Sequence, residues 1–495
     1  MPNIIWNSNK QKKIEFEKAA AYFLANKDQS KYRRKDSELQ HSFMKFGDTI
    51  LAMNTEGNHL AKGSYRVLSA KLSEDQNGKL YVIKREKFPQ KNEYSTGTDL
   101  GIITNHTVRH LEEKYTDKYY LCYQYLGTSL DHLFDNSPKD NQYISAQNRF
   151  NYAIKICRLL DKLHNGTLSK SGTAYAHLDI KPGNITKDHQ GQFHFIDLAA
   201  CEKLDGKASN KHDNDHGTRA YLPKEHQGIS YQNLDIFALL KTCYLEGAPS
   251  LFTKEMLDTN KSLEKLCQSN IQDKITPIQL MIRFILIKHE LPLEENIGLI
   301  NPNFARILVD NNLYNKTILQ QALHSSNLQA AVIAVNNPKI SFAENWIQLQ
   351  ENIYLQKAAI ALYNADIDFS KDGNWLKLKE NTNLQKALAI AYDYLNYNNF
   401  ISKSKQELYA EKQTLQLIQN LIAKKNNSLD MIRTEMQQWV SGYAPPAIQS
   451  SIDTPSPANI DHHPRLFGEP TILFFNMSNT KCKEVRQAIL DSHFN

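Results

Sequence analysis

A short polar segment near the middle of the chain limits the possible folds more than any other feature. The sequence is YAHLDIKPGN at residues 175–184, followed by FHFIDLA at residues 193–199. Asp179, Lys181 and Asn184 therefore share one short loop, and Asp197 comes thirteen residues after Asn184, behind a β-rich run. This pattern predicts that a loop and the end of a strand form one site.

These residue types suit phosphoryl transfer from a nucleotide. The reaction needs two oxygen ligands for Mg²⁺, a carboxylate that orients or deprotonates the attacking hydroxyl, and a cation that neutralises the transferred phosphate. Asn184 and Asp197 fit the metal ligands, Asp179 fits the carboxylate and Lys181 fits the cation. Asp197 lies in an otherwise apolar run, where a buried carboxylate without a partner is costly, and this favours a metal ligand.

With these residues the chain resembles the protein kinase superfamily. HLDIKPGN and IDLA are similar to the HRDLKPEN and DFG motifs, and YVIK at 81–84 is similar to the VAIK strand. Downstream, HGTRAYLPKE at 216–225 resembles the end of an activation segment, and DIFAL at 235–239 resembles the D-x-W-S-L start of a central helix. The resemblance covers residues 43 to 288, about half of the chain.

The resemblance implies a role for each matching residue. Asp179 would be the catalytic base, helped by Lys181, while Lys84 would hold the α- and β-phosphates of ATP. Lys84 would pair with a helix glutamate, for which we favour Glu93, with Glu86 and Glu112 as alternatives. The remaining implied assignments are ATP contacts by Leu60, Gly63, Val67, Tyr123 at the gatekeeper position, Gln124 and Leu126; Mg²⁺ ligation by Asn184 and Asp197; and structural support by His177, Thr218, Glu225 and Asp235.

The chain also departs from the family pattern at several positions. Leu178 replaces the usual arginine that contacts an activation-loop phosphate, so activity is expected not to require loop phosphorylation. Ala199 replaces the DFG glycine, which restricts the backbone and is expected to limit flipping of Asp197. Ala61 and Arg66 stand where the glycine-rich loop has glycines.

Three functions are compatible with these motifs. The first is a Ser/Thr protein kinase, because Lys181 follows Asp179 by two residues and residues 217–225 would form a platform for a protein substrate. The second is a small-molecule phosphotransferase, such as the aminoglycoside or choline kinases. The third is a nucleotide-binding pseudokinase scaffold that acts through its helical region; nucleotide binding without turnover would identify it.

The remaining patterns predict an α+β chain. Three β-rich runs between residues 43 and 84 are separated by turn formers, and another at 119–125 follows a helical interval. Residues 11–25, residues 144–164 and nearly all residues after 228 have helical spacing. With the resemblance, this implies a two-lobed protein-kinase fold followed by an all-α extension. The predicted parts are an N-terminal helical extension (1–42), a small lobe (43–126), a large lobe (127–288), a helical repeat region (295–440), a linker (441–470) and a C-terminal segment (471–495).

The helical region contains an internal repeat. NWIQLQENIYLQKAAIALY at 345–363 returns as NWLKLKENTNLQKALAIAY at 374–392, and a fainter copy occupies 317–335. Such repeats usually stack into a helical array, which serves either as a partner-binding surface or as a structural buttress. Trp346 and Trp375 are predicted to be core anchors.

Composition narrows the setting. Lys and Arg number 59 and Asp and Glu 53, so the net charge of +6 does not suggest nucleic-acid binding. Six scattered cysteines argue against a zinc site or a disulfide framework and for buried free thiols in a reducing compartment. Without a signal peptide or a membrane span, a cytoplasmic protein is expected. Its Asn- and Lys-rich composition also resembles the eukaryotic-like kinases that intracellular bacteria deliver into the host cytosol, whose substrates would be host proteins.

Overall fold

The chain divides into two units that differ in secondary structure: Met1–Ile297 is α+β, and Gly298–Asn495 is helical where it is described. The computed structural model describes residues 6, 8–32, 39–53, 59–62, 67–86, 91–109, 118–134, 144–204, 217–224, 228–269, 275–336, 342–369, 371, 373–397, 405–424 and 428–441. The predicted linker beyond Ser441 and the C-terminal segment therefore lie outside the described residues. The α+β class predicted from the sequence is confirmed.

An antiparallel sheet dominates the N-terminal part of the first unit. Its strands are β1 (Lys31–Tyr32), β2 (Ser42–Phe46), β3 (Thr49–Met53), β4 (His59–Lys62), β5 (Val67–Asp75), β6 (Leu80–Glu86), β7 (Ile103–Arg109) and β8 (Lys118–Gln124). The strand order is β1-β2-β3-β5-β6-β8-β7, and β4 pairs with β5. The predicted turn at 75–78 joins β5 and β6, where Asp75 Oδ1 accepts the N–H of Asn77 at 2.8 Å and of Lys79 at 2.9 Å.

Alternation along the strands gives the sheet two different faces. Tyr81 and Ile83 of β6 belong to an apolar cluster with residues of β2, β3 and β8. The alternate residues of β6, Val82, Lys84 and Glu86, lie on the opposite face of the sheet. In the register with β8, Val82 lies opposite Tyr123, Lys84 opposite Leu121 and Glu86 opposite Tyr119. Lys84 and Glu86 are therefore on one face of β6, because they are two residues apart.

That face is covered by helix α2 (Lys91–Asp99), and an apolar cluster of Ile103, Leu121 and Tyr123 lies there with Val82 and Tyr94 packed against it. The sequence predicted only a helical interval before β8, whereas the structure also has strand β7 in this interval. β7 has the sequence ITNHTVR, and its pattern was missed because polar residues occupy most positions of this edge strand.

Helix α1 (Asn9–Ala25) packs on the opposite end of the sheet. It begins after Ser8, whose side chain accepts the N–H of Gln11, and buries Phe16 and Phe23 against Phe43 and Ala52. The predicted N-terminal extension thus adds a helix and strand β1 to the sheet.

The rest of the first unit is mainly helical. Its helices are α3 (Leu130–Phe134), α4 (Ala146–His164), α5 (Tyr231–Cys243), α6 (Lys254–Thr259), α7 (Lys261–Cys267), α8 (Pro277–Lys288) and α9 (Leu293–Asn296). Short strands are β9 (Thr128–Ser129), β10 (Tyr175–Ala176), β11 (Ile185–Lys187), β12 (Phe193–Phe195) and β13 (Glu202–Lys203), arranged as a β12-β11-β9 sheet and a β10-β13 pair. Phe252 packs against Phe150 and Phe284, which anchor α4 and α8 in the core.

The second unit consists of helices α10 (Pro302–Asp310), α11 (Lys316–Leu323), α12 (Ser326–Val335), α13 (Phe342–Glu351), α14 (Ile353–Asn364), α15 (Asn374–Glu380), α16 (Thr382–Tyr397), α17 (Lys405–Ala423) and α18 (Leu429–Ser441). Each repeat copy forms one helix pair: α11–α12, α13–α14 and α15–α16. Trp346 and Trp375 are buried, which confirms the predicted core anchors, and Trp375 Nε1 donates to Asn345 Oδ1 at 2.8 Å. The five cysteines within the described residues are buried free thiols, as predicted.

Candidate active site

Strand β10 leads directly into the loop that carries Asp179. The loop ends in a 3₁₀ turn at Pro182–Asn184, from which the chain continues as β11 and β12 and then reaches Asp197. Both Leu178 (φ 62°) and Asp197 (φ 58°) adopt left-handed backbone conformations. Such a conformation costs a buried leucine about 1–3 kcal/mol, so surrounding contacts must hold Leu178 in place.

Asp235 on helix α5 provides those contacts. Its fully buried carboxylate accepts the backbone N–H groups of His177 and Leu178, both at 2.7 Å. His164 Nε2 lies 2.9 Å from the same carboxylate. The resemblance implied structural support by Asp235, and in the structure its carboxylate bonds the backbone of this loop.

The carboxylate of Asp179 is held at both oxygen atoms. Oδ1 accepts from the backbone N–H of Thr218 at 2.9 Å and from its hydroxyl at 2.8 Å. Oδ2 accepts from Lys181 Nζ and Asn184 Nδ2, each at 2.8 Å. Lys181 Nζ also contacts the Thr218 hydroxyl at 2.8 Å, so the predicted supporting role of Thr218 toward both residues matches its position.

Gly217 explains how Thr218 approaches so closely. Its φ is +99°, and a Cβ atom added there would lie 2.7 Å from the carbonyl oxygen of Leu178. A side chain at this position would separate the 217–224 segment from the loop. Glu225, predicted to support the same segment, lies outside the described residues.

His177 connects the loop to the strand that precedes Asp197. Its Nε2 lies 3.1 Å from the carbonyl oxygen of Ile196, and its Nδ1 accepts the N–H of Asp179 at 3.3 Å. Both ring nitrogens therefore have backbone partners, which fits the predicted structural role.

The side chain of Lys84 enters the site from strand β6. Its ammonium lies 2.6 Å from Glu93 Oε1, 2.9 Å from Asp197 Oδ1 and 3.3 Å from Glu86 Oε1. Burial alone would lower the pKa of Lys84, but the surrounding carboxylates, led by Asp197, outweigh burial and raise the pKa above its usual value. Lys84 is thus a permanent cation that joins the sheet, helix α2 and the loop after β12.

Glu86 and Tyr123 make contacts in the site that the sequence did not predict. Glu86 was considered as an alternative partner to Glu93, yet the structure brings both glutamates to the ammonium. Tyr123 was assigned to nucleotide binding, but its hydroxyl donates a hydrogen bond to Glu93 Oε1. Burial, followed by the charge of Glu93, raises the pKa of Tyr123 well above its usual value, so the hydroxyl remains a donor. Glu112 lies outside the described residues.

Helix α2 is fixed at its far end as well. The carboxylate of Asp99 accepts from Ser171 N at 2.9 Å, Ser171 Oγ at 2.6 Å and the Tyr175 hydroxyl at 2.9 Å. Lys170 N donates to the carbonyl oxygen of Asp99 at 2.9 Å. Burial and the bond to Asp99 raise the pKa of Tyr175 to about 12. The helix that carries Glu93 is therefore attached to the segment just before the Asp179 loop.

Asn184 and Asp197 offer oxygen atoms suited to a hard divalent cation. The Asn184 amide donates from Nδ2 to the carbonyl oxygen of Asp179 at 2.9 Å, which leaves Oδ1 as the amide atom that could bind a metal ion. Asp197 binds Lys84 through Oδ1 and has Oδ2 for a second ligand. The residues therefore fit Mg²⁺. The sequence argument was that a carboxylate in this apolar run needs a partner. The structure supplies one in Lys84 and leaves the Asp197 side chain 42% exposed, because the strand ends just before it.

The predicted nucleotide contacts are only partly described. Leu60 lies in β4 and Val67 begins β5, where the structure gives the backbone alone, and Gly63 falls outside the described residues. After β8, the N–H of Gln124 donates to Ile102 and that of Tyr125 to Leu80. These two backbone N–H groups are therefore used within the sheet.

Sequence comparison finds no matching protein-family model and no matching curated protein. The described helices include none that is long and apolar enough for a membrane span. The described residues also contain no cluster of three or more His, Cys, Asp or Glu side chains placed to hold a metal ion. The candidate site thus rests on its own geometry: one ammonium among three carboxylates, beside an aspartate held by four hydrogen bonds.

Proposed function

We propose that this chain is a Ser/Thr protein kinase that transfers the γ-phosphoryl group of Mg-ATP to a protein hydroxyl. The observation that carries the proposal is the position of Lys84, whose ammonium lies 2.6 Å from Glu93 and 2.9 Å from Asp197. These residues come from a strand, a helix and a loop, and 113 positions separate Lys84 from Asp197. In this proposal the main sheet with α2 is the small lobe and the following helices are the large lobe of a protein-kinase fold.

Each residue then has a defined task. Lys84 binds the α- and β-phosphates, and Glu93 and Tyr123 hold its ammonium in place. Bound Mg²⁺ would neutralise charge on the phosphate oxygens, held by Asn184 Oδ1 and Asp197 Oδ2. Asp179 accepts a hydrogen bond from the substrate hydroxyl and directs it toward the γ-phosphoryl group, while Lys181 offsets the negative charge that develops there.

A polypeptide substrate is favoured by the contact between Lys181 and Thr218. Lys181 Nζ bridges Asp179 and the Thr218 hydroxyl at 2.8 Å each, so residues 217–224 lie against the loop that carries the base. A segment held in this position gives an extended peptide a surface beside Asp179. Which protein is phosphorylated, and whether it belongs to a host cell, remain predictions from the sequence resemblance.

The test is phosphoryl transfer from γ-labelled ATP with Mg²⁺ to the protein itself and to basic and acidic generic substrates. We expect labelled Ser or Thr, and a loss of about 10²–10⁴-fold in rate for Asp179→Asn, which is the usual contribution of a general base. Asp197→Asn is expected to lose transfer while folding normally. Asp258→Asn is the matched control, because this aspartate is 56% exposed on α6.

Three outcomes would overturn the proposal. Transfer that survives in Asp179→Asn would place the chemistry elsewhere. Mg-ATP binding without any transfer, over the full substrate panel, would indicate a scaffold. Transfer only to aminoglycosides or choline, included in the panel, would indicate a small-molecule phosphotransferase.

A further inference from the structure

The site holds one more carboxylate than the proposed reaction needs. Glu86 follows Lys84 by two residues on β6, points to the same face and is only 2% exposed. Its Oε1 lies 3.3 Å from the Lys84 ammonium, and its Oε2 is buried without a hydrogen-bond partner. A buried, unpartnered carboxylate oxygen is costly, so this position requires a compensating charge or a proton.

The nearest positive charge, the Lys84 ammonium, is already paired with two other carboxylates. The Lys84 ammonium is closer to Glu93 and to Asp197 than to Glu86. Glu93 also receives the Tyr123 hydroxyl, and its second oxygen is buried without a partner, as in Glu86. One cation thus faces three carboxylates, and Glu86 is the one with the longest contact and no second donor.

We propose that Glu86 carries a proton at neutral pH, and that this proton keeps the surroundings of Lys84 favourable for the negatively charged phosphates of a nucleotide. The inference rests on the proposed function, since it assigns the charge state of the same site. A neutral Glu86 removes one negative charge beside the ammonium. An ionised Glu86 would repel the phosphates and compete with them for Lys84.

The groups that face Glu86 support this assignment. Lys84 lies on its own strand, Glu93 on α2, and Tyr119 opposite it on β8, while Tyr123 and Asp197 reach the same cluster. On the other neighbouring strand, β5, Val67 is opposite Glu86. Burial, and then the negative charge of Glu93, raise the pKa of Glu86 to about 8, although Lys84 opposes the rise.

Proton linkage makes the inference measurable. Above pH 8 the free protein would have an ionised Glu86, and phosphate binding would favour its protonated form, so nucleotide binding would take up a proton. If the phosphates raise the pKa by about one unit, affinity falls about fivefold between pH 7 and pH 9. Lys84 and Tyr123 do not contribute here, because their pKa values are raised beyond this range.

The experiment is isothermal titration calorimetry of the full-length protein with Mg-ADP at pH 7.0 and 8.5, each in two buffers of different ionisation enthalpy. With a pKa of about 8 that rises by about one unit on binding, we expect an uptake of about 0.5 proton per nucleotide at pH 8.5 for the wild type. We expect an uptake near zero for Glu86→Gln, which mimics the protonated side chain. Glu74→Gln is the matched control, because Glu74 is a buried glutamate of the same sheet that pairs with Lys12. It should retain the wild-type uptake.

A second measurement does not require nucleotide. The ¹³C carboxyl resonances of labelled glutamate, followed from pH 6 to 9.5, should include one transition near pH 8 that is missing in Glu86→Gln. Nucleotide binding without proton uptake, or equal uptake in Glu86→Gln, would refute the inference while leaving the kinase proposal intact. Failure to bind Mg-ADP at any pH, with the carboxyl transition present, would instead count against the kinase proposal.

Discussion

The two units bury different kinds of polar side chain. In Met1–Ile297 the buried polar residues include four charged side chains: Lys84, Glu86, Glu93 and Asp235. None of them belongs to a sequence repeat. Among the described residues of the helical unit they are mainly amides that recur at repeat positions: Asn345 and Asn374 at one, and Gln329, Gln356 and Gln385 at another. Burial of either kind of side chain costs free energy unless it is hydrogen-bonded or paired with an opposite charge. The way in which each set meets this cost helps to distinguish residues kept for function from residues kept for packing.

The repeated glutamines satisfy helix ends. Each donates from Nε2 to the carbonyl oxygen seven residues earlier, at 2.8, 2.6 and 2.9 Å in the three copies. Those carbonyls belong to the last turn of the preceding helix, where the regular i to i+4 donors run out and only weaker capping bonds remain, such as Asn381 N to the Leu378 carbonyl at 3.4 Å. The donor side of each buried amide is thus satisfied within its own repeat, although Gln356 Oε1 is buried without a hydrogen-bond partner. Helix-end packing accounts for the residue type.

The charged cluster around Lys84 has no such local explanation. Its members come from β6, α2 and the loop after β12, and two carboxylate oxygens in it lack a hydrogen-bond partner. Burying ions in this way gives little net stability compared with an apolar core. A function that needs the charges explains the cluster better than a role in folding does.

If the charged cluster serves catalysis, the largest effect of a substitution is expected at Lys84, on the rate of phosphoryl transfer. Lys84→Met should reduce phosphoryl transfer about 10²–10³-fold, because a positioned cation at developing charge is lost. Single-turnover transfer from γ-labelled ATP measures this effect. Lys187→Met is the control, since Lys187 Nζ bonds the Tyr152 hydroxyl at 3.0 Å outside the cluster. Equal rates in both variants would mean that the cluster serves folding alone.

Asp235 is expected to contribute both to folding stability and to the position of the loop that carries Asp179. Asp235→Ala leaves the N–H groups of His177 and Leu178 without their acceptor, and Leu178 loses the contact that holds its left-handed backbone. We expect a loss of about 3 kcal/mol in the free energy of unfolding, together with a fall in transfer rate. Urea unfolding checks the first and the kinase assay the second. Full activity in a folded Asp235→Ala would contradict the positioning argument.

Substitution of the repeated glutamines should lower the free energy of unfolding and leave the rate of phosphoryl transfer unchanged. Gln385→Ala removes the side-chain donor to the Leu378 carbonyl, leaving only the longer bond from Asn381 N, and is expected to cost about 1–3 kcal/mol in the helical unit. Gln348→Ala, at an exposed position of α13, is the control and should stay within about 0.5 kcal/mol of wild type. Urea unfolding followed by helical circular dichroism compares the two. A Gln385→Ala variant as stable as the control would remove the packing explanation.

The sequence predicted the parts of the site that depend on local pattern. Asp179, Lys181 and Asn184 share a loop short enough that few conformations separate them, and the structure joins all three. Glu86 was named only as an alternative to Glu93, and the sequence did not show that both glutamates would reach the Lys84 ammonium.

Long-range packing decided the rest. The bond from Tyr123 to Glu93 spans 30 positions and depends on the register of β8 under α2, which no local pattern encodes. The apolar neighbours of Asp197 indicated that its carboxylate needs a partner, but no local pattern showed that this partner would be Lys84, 113 positions earlier. Strand β7 was missed because an edge strand tolerates polar residues on both faces.

The smallest predicted effect is at Asp99, where a charged group serves attachment and not chemistry. Local burial opposes its ionisation, but the hydrogen bonds from Ser171 and Tyr175 lower the pKa of Asp99 below the ordinary 3.8. A lowered folded-state pKa gives stability that is present above pH 3.8 and lost as the pH falls through the folded value. Because the group is near the surface, Asp99→Asn should cost less than about 1 kcal/mol at pH 7. Urea unfolding of both proteins at pH 7, 5 and 3.5 should show this difference shrinking at the lowest pH. A difference that stays constant would mean that the attachment depends on shape and not on the charge of Asp99.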